Sequence, residues 1–402
     1  MKSPYIPYSK QNIDADDIDA VVAVLNSEFL TTGPEIERFE SAIATYCGAK
    51  HAIAVSNATA GLHIALVAQG IGESSRVWMS PITFLSSANV VIMAGASVDF
   101  VDIEPETGNM SVTALQQKLE VAATRHSLPD AIILVHFGGR VCDVSAITNL
   151  CEKYGISIIE DAAHALGSKY PDETPIGGSQ TSVATVFSFH PVKSITTGEG
   201  GVVTTNDTKL ANDLKRLRTH GITRTPSEFS TNQSTGDWYY EQDRLGFNYR
   251  LTDIQAALGT SQLKRLNEFV SERNRLAENY IDKLSDFNLR LPPPDSDSAW
   301  HLFPVGVDGG SDVRAAVFQY LRDENIGVNV HYIPVHLQPF YHDQGFRRGD
   351  FPASEYFYDC SISLPLYPGL TEDMQDRVCS ALAFALELWS GDLGYKKVVG
   401  YG

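Results

Sequence analysis

Two side chains with complementary chemistry stand about thirty residues apart. Lys193 lies in Phe187-Ser-Phe-His-Pro-Val-Lys193-Ser-Ile-Thr-Thr-Gly-Glu-Gly-Gly201, between a short β-like run and a glycine-rich turn. Before it, Ile156-Ser-Ile-Ile-Glu-Asp161 ends a strand-like run in two carboxylates. A lysine for a Schiff base and an aspartate for a pyridinium nitrogen are the groups that pyridoxal phosphate (PLP) chemistry requires of a protein. Taken singly, neither residue is specific. A lone lysine is usually exposed, and aspartate commonly ends strands because it favours turns. Glu160 is set aside for the ring-nitrogen role, since successive side chains on a strand face opposite ways.

Other segments could complete such a site. Asn57-Ala-Thr-Ala-Gly-Leu62 follows a strand-like run and opens a helix. Its free N–H groups suit a phosphate, with the Thr59 hydroxyl, the Ala60 backbone and Ser188 as further donors. Phe84, in Ser80-Pro-Ile-Thr-Phe-Leu85, either fills core or stacks on a planar ring. His164, three residues after Asp161, is either a structural histidine or a donor to a phenolic oxygen. Asn248 and Arg250, in Gly246-Phe-Asn-Tyr-Arg-Leu-Thr-Asp253, precede a helix and could serve an anion. His331 and His336 are five apart and flank Pro334. That is not the spacing of a helical zinc pair, so no metal is expected and substrate contact or packing is preferred.

The elements that would position these residues alternate between strand and helix. Strands are expected at His51–Val55, Arg76–Met79, Ser97–Ile103, Ala131–Val135, Ile156–Ile159, Val183–Phe189 and Gly201–Thr205. Helices are expected over Ala60–Gln69, Ser111–Val121 and Val144–Tyr154. The pattern is α/β, with a mostly parallel central sheet covered on both faces. Thr223–Trp238 reads as a long polar loop. One long helix is expected over Thr252–Leu284, followed by a proline-rich break and a smaller C-terminal α/β unit. That unit would hold strands at Trp300–Val307 and Gly327–Tyr332 and helices at Asp312–Glu324 and Thr371–Leu388. The division expected is a large domain over 1–250 and a small one over 251–402, with a loosely attached tail from 391.

Composition narrows the function classes. The 402 residues carry a net charge of −18, from 31 basic and 49 acidic side chains. This argues against nucleic-acid and membrane-surface partners, but not against an anionic ligand in a local pocket. Five scattered cysteines without C-x-x-C spacing, together with an N-terminus lacking a signal-like apolar run, point to reduced thiols and the cytoplasm.

Assembled in this order, the motifs resemble the sugar-nucleotide aminotransferases of the DegT/DnrJ/EryC1/StrS family, which are fold type I PLP enzymes. The resemblance runs from about Ile6 to Leu388 and includes Thr31-Thr-Gly-Pro34 and His331-Tyr-Ile-Pro-Val-His336. It implies Lys193 as the Schiff-base lysine and proton carrier, and Asp161 at the pyridine nitrogen. It further implies Phe84 on the ring, His164 near the phenolic oxygen, and Thr59, Ala60 and Ser188 on the phosphate. Asn248 would reach the cofactor of a neighbouring subunit, making the enzyme a homodimer with sites at the interface. His331 and Tyr332, with Arg250, are the substrate-contact candidates. Phe189-His-Pro-Val-Lys193 and Trp238-Tyr-Tyr-Glu241 resemble the pseudaminic acid branch of the family. That branch aminates C4 of a UDP-linked 2-acetamido-2,6-dideoxy-4-ketohexose with L-glutamate as donor. Aminotransfer to another dTDP-, GDP- or UDP-linked 3- or 4-keto sugar, and a non-catalytic PLP-binding regulator, are the alternatives.

Overall fold

The computed structural model describes residues 3–231 and 236–389. The expected tail from 391, and residues 232–235 of the polar segment 223–238, lie outside them. A seven-stranded sheet organises the large unit. Its strands are β1 (His51–Val55), β2 (Arg76–Met79), β3 (Ser97–Phe100), β4 (Ala131–Val135), β5 (Ser157–Asp161), β6 (Ala184–Ser188) and β7 (Gly201–Thr205), in the order β1-β7-β6-β5-β4-β2-β3. Only β7 runs antiparallel to its neighbours.

Strand alternation divides the core between the two faces. Ala52, Ala54, Ile132, Leu134 and Ile158 bury on one face; Ile53, Val55, Ile133, Val135 and Ile159 bury on the other. Because both faces are covered, β4 is apolar at every position. Period-two geometry sends Glu160 to the first face and Asp161 to the second.

Helix starts follow local capping chemistry. Asn57, Asp143 and Asp207 each place a side-chain oxygen on an N–H of the first turn. Thr252 and Gln255 form a reciprocal capping box. Asp253, the first residue of that helix, accepts from Gly33 and Glu35 N–H at 2.8 and 2.9 Å, and so ties a second helix start to it. Most ends of the expected elements shift by one to three residues, some outward and some inward.

Three expectations are corrected. The single helix expected over Thr252–Leu284 is two, Asp253–Leu263 and Leu266–Leu284. At the break Lys264 and Arg265 bond to carbonyls three residues back, while the Gln262 and Arg265 side chains are drawn to Asn12 and Asp17 near the N-terminus. No strand forms over Gly327–Tyr332; a single bridge joins Asn329 to Ser363. Asn329 turns its side chain onto the N–H of Val330, which interrupts a ladder there. The strand from Ser97 stops at Phe100: beyond it the Ile103 N–H turns onto Asp102 Oδ1 and Ile103 bridges to Met110 instead.

The smaller unit pairs Leu289–Arg290, Phe303–Val307 and Ser361–Leu364 in an antiparallel sheet under its own core. Ser361–Leu364 and the helix Pro352–Cys360 before it are not among the expected elements. Leu251, Ala256, Leu266 and Phe269 bury in the large unit, whereas Leu276 and Tyr280 belong to the second core. All five cysteines are buried and free. Among the described residues no helix is long and apolar enough to cross a membrane.

Candidate active site

The carboxyl ends of parallel strands deliver their loops to one edge of the sheet, where ligands of open α/β sheets bind. Here that edge opens on a cavity of about 720 Å³ between the two units. Asp161 ends β5, Ser188 ends β6, and Asn57 follows β1, so the ends of three strands aim their motifs at one space. Lys193, Asp161, Thr59, Phe84, His164, Ser188, His331 and Tyr332 all line it.

Lys193 sits half-buried in the turn after β6, its N–H bonded to His190 O at 2.9 Å. Burial lowers its ammonium pKa to about 8, partly opposed by the Asp161 carboxylate. Asp161 is 5% exposed. Its oxygens accept from the Ser87 hydroxyl at 2.7 Å and from Ala163 N–H at 3.2 Å. Ser87 lies on the helix Leu85–Met93, so that helix orients the carboxylate.

The helix Ala58–Ala68 points its N-terminus into the cavity. Its first N–H groups have no partner within the helix and are natural anion donors. Gly201 makes the approach possible: a Cβ there would lie 2.6 Å from the Asn57 carbonyl carbon and 2.7 Å from Ala58 N. The expectation for Ala60 is corrected. Its N–H donates to Asn57 Oδ1 at 2.8 Å, leaving Ala58 and Thr59 as the cavity-facing part of the turn. Phe84 is 59% exposed at the cavity wall, which leaves one ring face open.

His164 is buried, and desolvation, then the charge of Lys193, holds its pKa well below the usual histidine range. His331 bonds to Ser363 Oγ at 2.8 Å and to Asn329 at 3.3 Å, and burial pushes its pKa down to about 3. His336 faces elsewhere, onto Glu355 at 2.9 Å, so the two histidines five apart do not converge. Among the described residues no group of three or more His, Cys, Asp or Glu is placed to hold a metal.

Asn248 and Arg250 are not brought to this cavity. Asn248 is exposed beside Thr219, and Arg250 lines a separate groove with Glu40, Lys215 and Arg218. Conversely, the cavity includes Tyr8, His301 and Asn329, which the sequence reading missed. His301 carried a signal: one imidazole inside the apolar run Ala299-Trp-His-Leu-Phe303 calls for a partner or a ligand once buried. It is 3% exposed, with its Nδ1 unpartnered.

The donor set matches the parts of PLP: hydroxyls and a helix N-terminus for phosphate, a fixed carboxylate for the ring nitrogen, and an amine of depressed pKa for the aldehyde. Residues 11–383 match the DegT/DnrJ/EryC1/StrS aminotransferase family model. This chain belongs to that family. It is a PLP-dependent sugar transaminase on the type I fold. The spore coat polysaccharide biosynthesis protein SpsC of Bacillus subtilis is 39% identical over 95% of this chain and 97% of its own. Helicobacter pylori PseC, an aminotransferase involved in the biosynthesis of pseudoaminic acid, superposes with a TM-score of 0.85 at 29% identity, covering 96% of this chain and 100% of PseC. Bacillus subtilis NtdA with bound cofactor PMP gives 0.81 at 27% identity, over 96% of this chain and 85% of NtdA.

Proposed function

We propose that this transaminase moves an amino group from L-glutamate to C4 of a UDP-linked 2-acetamido-2,6-dideoxy-4-ketohexose, in amino-sugar biosynthesis of the pseudaminic acid type. The observation that carries the reading is the convergence of Lys193, Asp161 and the Ala58–Ala68 helix N-terminus on one cavity. The motif resemblance and the likeness to PseC support the choice of sugar. When bound, PLP supplies the aldehyde that carries the amino group and a ring that accepts electrons from the substrate carbon. Thr59, Ser188 and the helix N-terminus would hold its phosphate, Asp161 its ring nitrogen, and Phe84 its face.

The residues then divide the work. Ser87 and Ala163 keep the Asp161 carboxylate aimed at the cavity. Lys193, with its pKa near neutrality, takes up and returns protons at Nζ under physiological conditions. His164 serves the phenolic-oxygen side, and His331 and Tyr332 the substrate. Asn248 and Arg250 lie outside their own chain's cavity, which supports a homodimer in which each copy lends them to its partner's site. The acidic charge and scattered cysteines support a cytoplasmic enzyme. The two-domain division is proposed with its changeover within the helical segment after residue 250.

A second reading, another nucleotide-linked 3- or 4-keto sugar, is favoured by the likeness to SpsC, a protein of coat polysaccharide biosynthesis. The test is to load the holoenzyme with L-glutamate, measure 2-oxoglutarate, then add a panel of nucleotide keto sugars. Stoichiometric 2-oxoglutarate and a 4-amino product from the UDP sugar are expected. Product only from a dTDP or GDP sugar would move the assignment to the second reading. Absence of 2-oxoglutarate would reject glutamate.

A further inference from the structure

The hydrogen bonds around His164 determine where its proton sits. The Gly138 backbone N–H can only donate, and it meets His164 Nδ1 at 3.2 Å. Nδ1 therefore carries a lone pair, and the ring proton is on Nε2. Nε2 lies 3.1 Å from the Tyr332 hydroxyl. The Tyr332 oxygen must then accept, and its own proton is left for another partner. The burial that keeps His164 neutral also raises the Tyr332 pKa, with Asp161 and Tyr8 adding to it, so the phenol stays protonated.

Packing holds the arrangement in place. The His164 ring lies nearly parallel to that of Tyr332, at 18° with centroids 6.1 Å apart, and 4.4 Å from the His301 ring. Phe137 closes a further edge at 6.3 Å. Tyr332 lines the cavity with Lys193, Asp161 and Phe84, its ring 6.1 Å from that of Phe84.

We propose that Tyr332 is the hydrogen-bond donor this wall presents to a ligand oxygen, and that His164 is a positioning residue that directs the Tyr332 proton outward. The proposal rests on the aminotransferase reading and deepens it. His164 serves the phenolic-oxygen side through Tyr332, because both of its nitrogens are already engaged. The acceptor is an electron-rich oxygen, either the phenolic oxygen of the cofactor or an oxygen of the keto sugar.

Tyr332→Phe removes the hydroxyl and keeps the ring. If the cofactor oxygen is the acceptor, the visible band of the bound cofactor shifts and cofactor affinity falls about tenfold. If a sugar oxygen is the acceptor, the band stays and the sugar KM rises about tenfold. His164→Leu reproduces whichever change is seen, and the double variant adds nothing, since both act through one proton. His164→Gln, which offers both an acceptor and a donor, restores part of the effect. Spectrum, cofactor affinity and sugar KM all within twofold of wild type in Tyr332→Phe would overturn the proposal. Multiplied effects in the double variant would overturn the positioning role. Tyr332→Phe decides the donor role even where His164→Leu fails to fold, as judged by circular dichroism. Failure of the wild-type enzyme to transfer an amino group would instead sink the reading on which the proposal rests.

Discussion

Glu160 and Asp161 are consecutive carboxylates on one strand, yet they belong to opposite faces of the sheet and to different kinds of environment. Glu160 is fully buried, and its Oε2 takes His136 Nε2 at 2.6 Å and the Tyr170 hydroxyl at 2.8 Å. Cys142 N–H in turn meets His136 Nδ1 at 3.2 Å, so His136 donates from Nε2 just as His164 does. The same device, a backbone N–H setting an imidazole tautomer, closes a network behind β5 and leaves an outward proton in front of it. Asp161 is held by only a hydroxyl and a backbone N–H and borders the cavity. Both bonds to Glu160 fall on its Oε2 inside the fold, its Oε1 being buried without a partner, whereas Asp161 opens onto a cavity that can take a ligand.

The largest effect that could break this contrast is on Lys193. Lys193→Ala is expected to lower amino transfer by more than about 10⁴-fold, since in the proposed function one amine would be both the attachment point and the proton carrier. Unchanged circular dichroism beside the lost product would place the defect in chemistry. Substantial turnover by this variant would remove Lys193 from its role.

The two carboxylates should then separate stability from activity. Glu160→Ala strands a buried imidazole N–H and a phenol, and should cost about 3–5 kcal/mol in urea unfolding with kcat of the folded fraction retained. Asp161→Ala should change stability by less than about 1 kcal/mol and suppress amino transfer by about 10²–10³-fold. Equal stability losses in the two variants would erase the distinction between the faces.

The smallest effect concerns pH. An amine whose pKa is lowered to about 8 is a cation below that pH and a free nucleophile above it. Acylation of apoenzyme Lys193, followed by mass spectrometry, should rise with pH and level off above about 8. Asp161→Asn should move that midpoint down, because Asp161 favours the charged form. A midpoint in the ordinary lysine range would show that the turn does not desolvate the amine.

Local patterns in the chain carried much of this far. Apolar runs matched β1, β2, β4 and β7 end to end, and polar residues at Asn57 and Thr252 marked helix starts. Lys193, Asp161, Thr59, Phe84, His164 and Ser188 were legible because each follows a strand or opens a helix, and strand ends of an α/β sheet share one edge. Ala60 was misread because a cap and a phosphate compete for the same N–H, and here the cap holds it.

The rest depended on contacts between segments far apart in the chain. His301 and Asn329 reach the site from the second unit, more than a hundred residues beyond Lys193. The helix expected to run through residues 252–284 broke because Gln262 and Arg265 found partners near the N-terminus. The sequence by itself determined the α/β class, the strand ends and the chemical pair Lys193 and Asp161, because periodicity and capping act over a few residues. Tertiary structure alone decided which N–H groups stay open, which histidine proton points where, and that Arg250 lines a separate groove, because those outcomes depend on what a distant segment places within reach.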